Sequence, residues 1–119
     1  MKFEFDTTRQ CIPQGDVYLV PIVAIPDEAM GRPIAPENGR HTITHSESGH
    51  DHIVMERPTV KMFSAMDTFR DFLLIEDEPA TLEHLRDHHT HAPQEIPTGA
   101  WLIQRQRQPS PEGWQRAAD

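Results

Sequence analysis

Eleven prolines cut this 119-residue chain into short apolar and alternating runs, and that punctuation limits its fold more than any other feature. Proline lacks a backbone donor and clashes inside a helix, but sits well at turns and strand ends. The runs between prolines are strand-sized. Residues 14–25 open with a Gly15-Asp16 turn and continue as Val17-Tyr18-Leu19-Val20-Pro21-Ile22-Val23-Ala24-Ile25. Such a nearly continuous apolar strand is expected to be buried on both faces, with Pro21 at an edge or a bulge. Residues 26–40 read as loop, with at most one helical turn at Asp27-Glu28-Ala29-Met30. Residues 40–45 alternate, with His41, Ile43 and His45 on one face. A polar turn at 46–49 joins them to a strand at 50–56, which suggests a hairpin. Further strands are expected at 60–66, 70–75, 80–85 and 100–106. Residues 86–95 read as a loop, and Ile96-Pro97-Thr98-Gly99 as a turn. Phe3 and Phe5 fit a short edge strand or a mobile segment. The tail, 109–117, reads as one short C-terminal helical turn, with Ser110 as cap and Pro111 in first position. The expected fold class is all-β: one compact barrel or sandwich domain over 1–119, with 1–10 and 108–119 peripheral.

Charge and composition narrow the function classes. A net charge of −8 with histidine neutral disfavours nucleic acid and anionic membranes as partners, since both require basic surface. One cysteine, Cys11, allows no intrachain disulfide and no multi-cysteine zinc finger. The N-terminus has no apolar signal core, and no run is long enough to span a bilayer. A soluble, cytoplasmic protein is expected. There is no Gly-rich phosphate loop, no Gly-x-Ser-x-Gly elbow and no Cys-x-x-Cys.

Eight histidines are an excess for this length, and they supply the candidate chemistry. In Gly49-His50-Asp51-His52-Ile53-Val54-Met55-Glu56, an extended backbone puts His50, His52, Val54 and Glu56 on one face. Two imidazoles and a carboxylate make half a site for a divalent metal, with Zn, Fe, Mn and Ni not distinguishable. A further imidazole must come from elsewhere. His84 is best placed, because it shares the Ala80/Leu82 face. His91 is the alternate ligand, and His41 or His45 across the hairpin come next. If the site is catalytic, the metal would act on a small polar molecule as a Lewis acid or by activating oxygen or water, with Asp51 or another carboxylate as base. The competing reading makes these histidines hydrogen-bonded residues near turns, in a non-enzymatic binding or oligomerisation module with no metal. His84, His88, His89 and His91 form a second cluster, in which a helix over 82–89 would bring His84 and His88 to one face. Arg105 and Arg107 share a strand face. They are a possible anion contact, although pairing with Asp and Glu on neighbouring strands is the favoured reading. Trp101 and Trp114 are expected to pack in or over the core.

The His50-x-His52-x-x-x-Glu56 segment resembles the first motif of the cupin superfamily, whose small double-sheet barrels commonly hold a divalent metal through His-x-His, a Glu and a later His. Pro97-x-Gly99 resembles the Pro-x-Gly of the second cupin motif. Leu102 stands where that motif would place its last ligand, so the resemblance requires His84 or His91 instead. It also implies a homodimer paired through edge strands. Across nearly the whole chain, the order Gln14-Gly15-Asp16-Val17, Gly49-His50-x-His52, Ile96-Pro97-x-Gly99, Gln104-x-Gln106-Arg107 is similar to that of small uncharacterised bacterial and phage proteins.

Overall fold

The computed structural model describes residues 2–44, 51–66, 70–84 and 93–105, and the backbone of 107–110 and 113–116. In chain order the elements are β1 (Ile12–Gln14), β2 (Val17–Ile22), α1 (Asp27–Met30), β3 (Arg40–Thr44), β4 (His52–Met55), β5 (Val60–Ser64), β6 (Arg70–Ile75), β7 (Ala80–His84), β8 (Gln94–Ile96), β9 (Gly99–Arg105), β10 (Arg107–Ser110) and β11 (Gly113–Arg116). They form a five-stranded sheet, β1-β2-β9-β6-β5, a four-stranded sheet, β3-β4-β7-β8, and the hairpin β10-β11. Every pairing is antiparallel. The all-β expectation holds.

Period-two alternation builds the core. Val17 and Leu19 of β2, Leu73 and Ile75 of β6, and Trp101 and Ile103 of β9 meet Ile43, Val54, Ala80, Leu82 and Ile96 of the other sheet. The five-stranded sheet is apolar on its outer face as well. There Ile22, Phe63, Phe72, Ala100 and Leu102 are covered by Ile25, by Ala29 of α1 and by Phe3. A sheet covered on both sides needs apolar residues at odd and even positions alike, which explains the unbroken run at 17–22. Pro21 is tolerated because its missing donor faces the lateral edge of the sheet: its carbonyl accepts from the Asp6 N–H at 2.9 Å, so its nitrogen points to that edge too, away from β9. Phe5 bridges Ile22 at the same edge.

One cation ties this edge to the core. The Arg9 Nη2 donates to the carbonyls of Ile22 (2.8 Å) and Ala100 (3.0 Å), and its guanidinium carbon lies 4.6 Å from the centre of a Trp101 ring. Its Nε donates to Asp6 at 2.9 Å. The Asp6 carboxyl is held down at about 2, first by the Thr8 hydroxyl and then by Arg9. Gly99, with φ of +127°, lies under this guanidinium. The Pro97-x-Gly99 turn therefore has a packing role, completed by the Trp101 Nε1 donating to the Pro97 carbonyl at 3.0 Å.

Three expectations need correction. The tail forms no helical turn over the residues described: Arg107 pairs with Arg116 and Ser110 with Gly113, a β-hairpin. Four residues beginning with glycine cannot repay helix nucleation, whereas pairing satisfies their backbone at once. Gln94–Ile96, assigned to loop and turn, is a strand that pairs with Leu82–Ala80. Its only apolar residue is Ile96, so alternation left nothing to detect. The strand expected to reach Met66 stops at Ser64, and Met66 turns with φ of +58°.

Candidate functional site

The register brings several chain reversals to one end of the sandwich. Val17 faces Arg105, Arg70 faces Gln104, and Ser64 faces Asp71. On the other sheet, Thr44 faces His52 and His52 faces His84. Two contacts join these ends across the core. The Arg105 Nε donates to the Ile43 carbonyl at 2.8 Å, and the Gln14 Nε2 donates to the Leu82 carbonyl at 3.3 Å.

His52 is the centre of this end and is only 4% exposed. Its Nδ1 lies 2.6 Å from the Gln14 Oε1. Because the Gln14 nitrogen is committed to Leu82, its oxygen faces His52, and the Nδ1 must carry the hydrogen. In the neutral ring, Nε2 is then the lone-pair nitrogen. Asp16 Oδ1 sits 3.8 Å from it. The His84 ring stacks on His52, with centroids 4.4 Å apart and planes 11° from parallel. This follows from their direct cross-strand pairing. Nearby, the Arg105 Nη1 pairs with Asp71 at 2.8 Å.

The structure thus joins His52 and His84 but leaves Glu56 apart. Glu56 follows the far end of β4, roughly 13 Å along the chain from His52 at strand rise, and it neighbours His41. Among the described residues, no group of three or more His, Cys, Asp or Glu side chains could hold a metal ion. His45, His50, His88, His89 and His91 lie outside the described residues. Asp51 is half-buried just before β4. Arg105 is engaged by Asp71, and Arg107 lies on β10, where the backbone alone is described. The sequence did not single out Gln14, Asp16 or Asp71. Gln14-Gly15-Asp16 reads as a turn, and a turn's polarity says nothing about which side chain folds inward.

His41 forms a separate polar point on the same inner face. It is 4% exposed, and its Nδ1 has no hydrogen-bond partner among the described residues. Burial pushes its pKa below the ordinary 6.5, opposed in part by the Glu56 carboxylate and by a hydrogen bond to the Val60 backbone. A histidine depressed in this way contributes stability above pH 6.5, because below it the unfolded chain binds the proton more readily. The contribution is lost as the pH falls. The urea midpoint of the wild type should therefore drop between about pH 7.5 and 5.5 more than that of His41→Gln. Glu56→Gln should steepen the drop, because it removes a charge that favours the imidazolium. A shallower drop in Glu56→Gln would contradict this account.

A family model described as "Domain of unknown function (DUF8820)" matches residues 13–106, and the chain belongs to that family. No curated protein and no solved structure matches it. Among the described residues, no helix is long and apolar enough to cross a membrane.

Proposed function

We propose that this member of the DUF8820 family binds a divalent cation at the His52 end of the sandwich, with His52 Nε2 and the Asp16 carboxylate as ligands and a small polar molecule as its partner. One observation carries the reading: Gln14 holds the His52 Nδ1–H, so a lone pair and a carboxylate oxygen stand 3.8 Å apart. Two acceptors this close to each other are stabilised by a cation shared between them. An amide oxygen that fixes the far nitrogen of an imidazole is a common support for a metal-binding histidine. The cupin resemblance of His50-x-His52 points the same way, and His50 and His91 remain candidates on spacing alone. Water or further donors would complete the shell. Bound there, the ion would polarise an oxygen of the partner molecule or lower the pKa of a bound water.

A second reading rests on the stacked rings. Imidazoles lying face to face direct their lone pairs in parallel planes, so His52 and His84 do not converge on one ion in this arrangement. On that reading the same polar end binds a small polar molecule without metal, as a non-enzymatic module.

Elemental analysis of protein purified without an affinity tag, followed by calorimetric titration with Zn²⁺, separates the two. The metal reading expects near-stoichiometric ion. It expects affinity to fall about tenfold or more, 1.4 kcal/mol, in Asp16→Asn and His52→Gln. Circular dichroism establishes that each variant is folded. Folded wild-type protein that neither contains nor takes up zinc, manganese, iron or nickel would remove the metal reading and leave the second.

A further inference from the structure

Away from His52, the two sheets leave an open side between their edge strands, β5 and β3. Residues 32–37 cross it. The Ile34 N–H donates to the Met62 carbonyl at 2.8 Å, and the Ser64 N–H to the Arg32 carbonyl at 2.9 Å. Glu37 then bridges Arg40 at the start of β3. Two cavities border this crossing segment, one of about 290 Å³ and one of about 100 Å³. His41, Ile34, Ala35 and Met62 line both. Pro58 and Val60 extend the apolar wall of the larger cavity, and Glu56 stands at it.

The electrostatics there favour one sign. Arg57 is paired with Glu78, and Lys61 with Glu76 at 2.9 Å. Each cation at the wall thus has a carboxylate partner outside it, in a solvent-exposed pair. Among the described residues, Glu56 has no ion pair. Its charge reaches His41, whose ring is hydrogen bonded to the Val60 backbone and whose Nδ1 is buried without a partner among the described residues. Since Nδ1 is the unbonded nitrogen, the Val60 bond falls to Nε2–H, and Nδ1 holds the lone pair. The larger cavity thus offers apolar walls and, at its margin, a carboxylate without an ion pair among the described residues.

We propose that this cavity binds a small amphipathic amine, with its hydrocarbon part against Ile34, Pro58 and Met62 and its ammonium toward Glu56. The volume is at the lower limit of small-molecule sites, which suits a ligand of about ten heavy atoms. This inference is independent of the His52 site.

The test uses three probes of similar size and different charge: 2-phenylethylamine, 2-phenylethanol and phenylacetate. Binding is followed by amide NMR shifts on the intact chain. The amine should bind saturably with a Kd of about 1 mM, with shifts clustered on Ile34, His41, Glu56 and Met62. The alcohol should bind severalfold more weakly, and phenylacetate at least tenfold more weakly. Glu56→Gln, at an exposed position, should reduce amine affinity to that of the alcohol. Ala35→Trp, at an exposed wall position, should block all three probes while leaving the remaining spectrum intact. Equal binding of the three probes, amine binding unchanged in Glu56→Gln, or no saturable binding up to about 10 mM would each overturn the proposal.

Discussion

Asp71→Ala should cost about 3 kcal/mol of folding stability, one of the two largest losses expected from a change at a polar or glycine position. Asp71 and Arg105 are 15% and 12% exposed and lie 2.8 Å apart. The same guanidinium donates its Nε to the Ile43 carbonyl, so Arg105 projects from the five-stranded sheet and grips the four-stranded one. Removing the carboxylate strands a buried cation that the Ile43 bond prevents from swinging freely into water. Breaking one half of such a pair typically costs 3–5 kcal/mol, while replacing both halves with apolar groups is often nearly neutral. The paired variant Arg105→Met with Asp71→Leu should therefore recover most of the loss, giving an interaction energy of roughly 2 kcal/mol in a double-mutant cycle. Urea unfolding followed by circular dichroism measures all four proteins. A loss below about 1 kcal/mol in Asp71→Ala would mean that Arg105 reaches solvent and that the clamp is weak.

Gly99→Ala should be comparably damaging, at about 3 kcal/mol, for two separable reasons. The backbone φ of +127° is a region that L side chains rarely adopt, and an added Cβ would meet the Arg9 Nη1 at 2.5 Å. The first term is backbone strain and persists in any background. The second depends on Arg9, whose hydrogen bonds to Ile22 and Ala100 hold it against the turn. Arg9→Ala on its own should also destabilise, by about 2 kcal/mol, because it leaves two carbonyls and the Trp101 face without their cation. In the double variant the steric term vanishes, so its loss should fall about 1 kcal/mol short of the sum of the single losses. At roughly 4 °C per kcal/mol for a chain of this size, Gly99→Ala should melt about 12 °C below wild type. Strict additivity with Arg9→Ala would show that the close approach does not contribute.

Much of the strand content was legible. The alternation in Arg40–Thr44 and Ala80–His84, and the unbroken apolar run at 17–22, carry their burial on their face. The expectation that Ala80, Leu82 and His84 share an inward face was legible; that His84 lies against His52 came only from the β4–β7 pairing. Strand β8 was not legible, because a three-residue strand is defined by its partner and carries no period of its own. The tail was misread because Ser110-Pro111 is a good helix start, while its alternative, a two-stranded pairing, depends on residues on both sides of the turn.

The candidate site divides in the same way. The histidine excess and the His50-x-His52 spacing marked β4 as the strand to watch. Spacing along one strand could not show that His52 and Glu56 belong to opposite ends of the sheet, because a shared face still extends by about 3.3 Å per residue. The sequence anticipated that Arg105 would pair with an acid on a neighbouring strand, here Asp71, but not that Gln14 and Asp16 would meet His52. Those assignments come from register and from the crossing of chain segments between sheets, which join residues far apart in sequence. Local periodicity alone determined that this chain forms short strands with buried faces, since burial imposes that period on each strand separately. Which polar groups meet at the His52 end, and which line the cavity at His41, was decided by the tertiary structure, because those contacts exist only once two sheets are paired and packed.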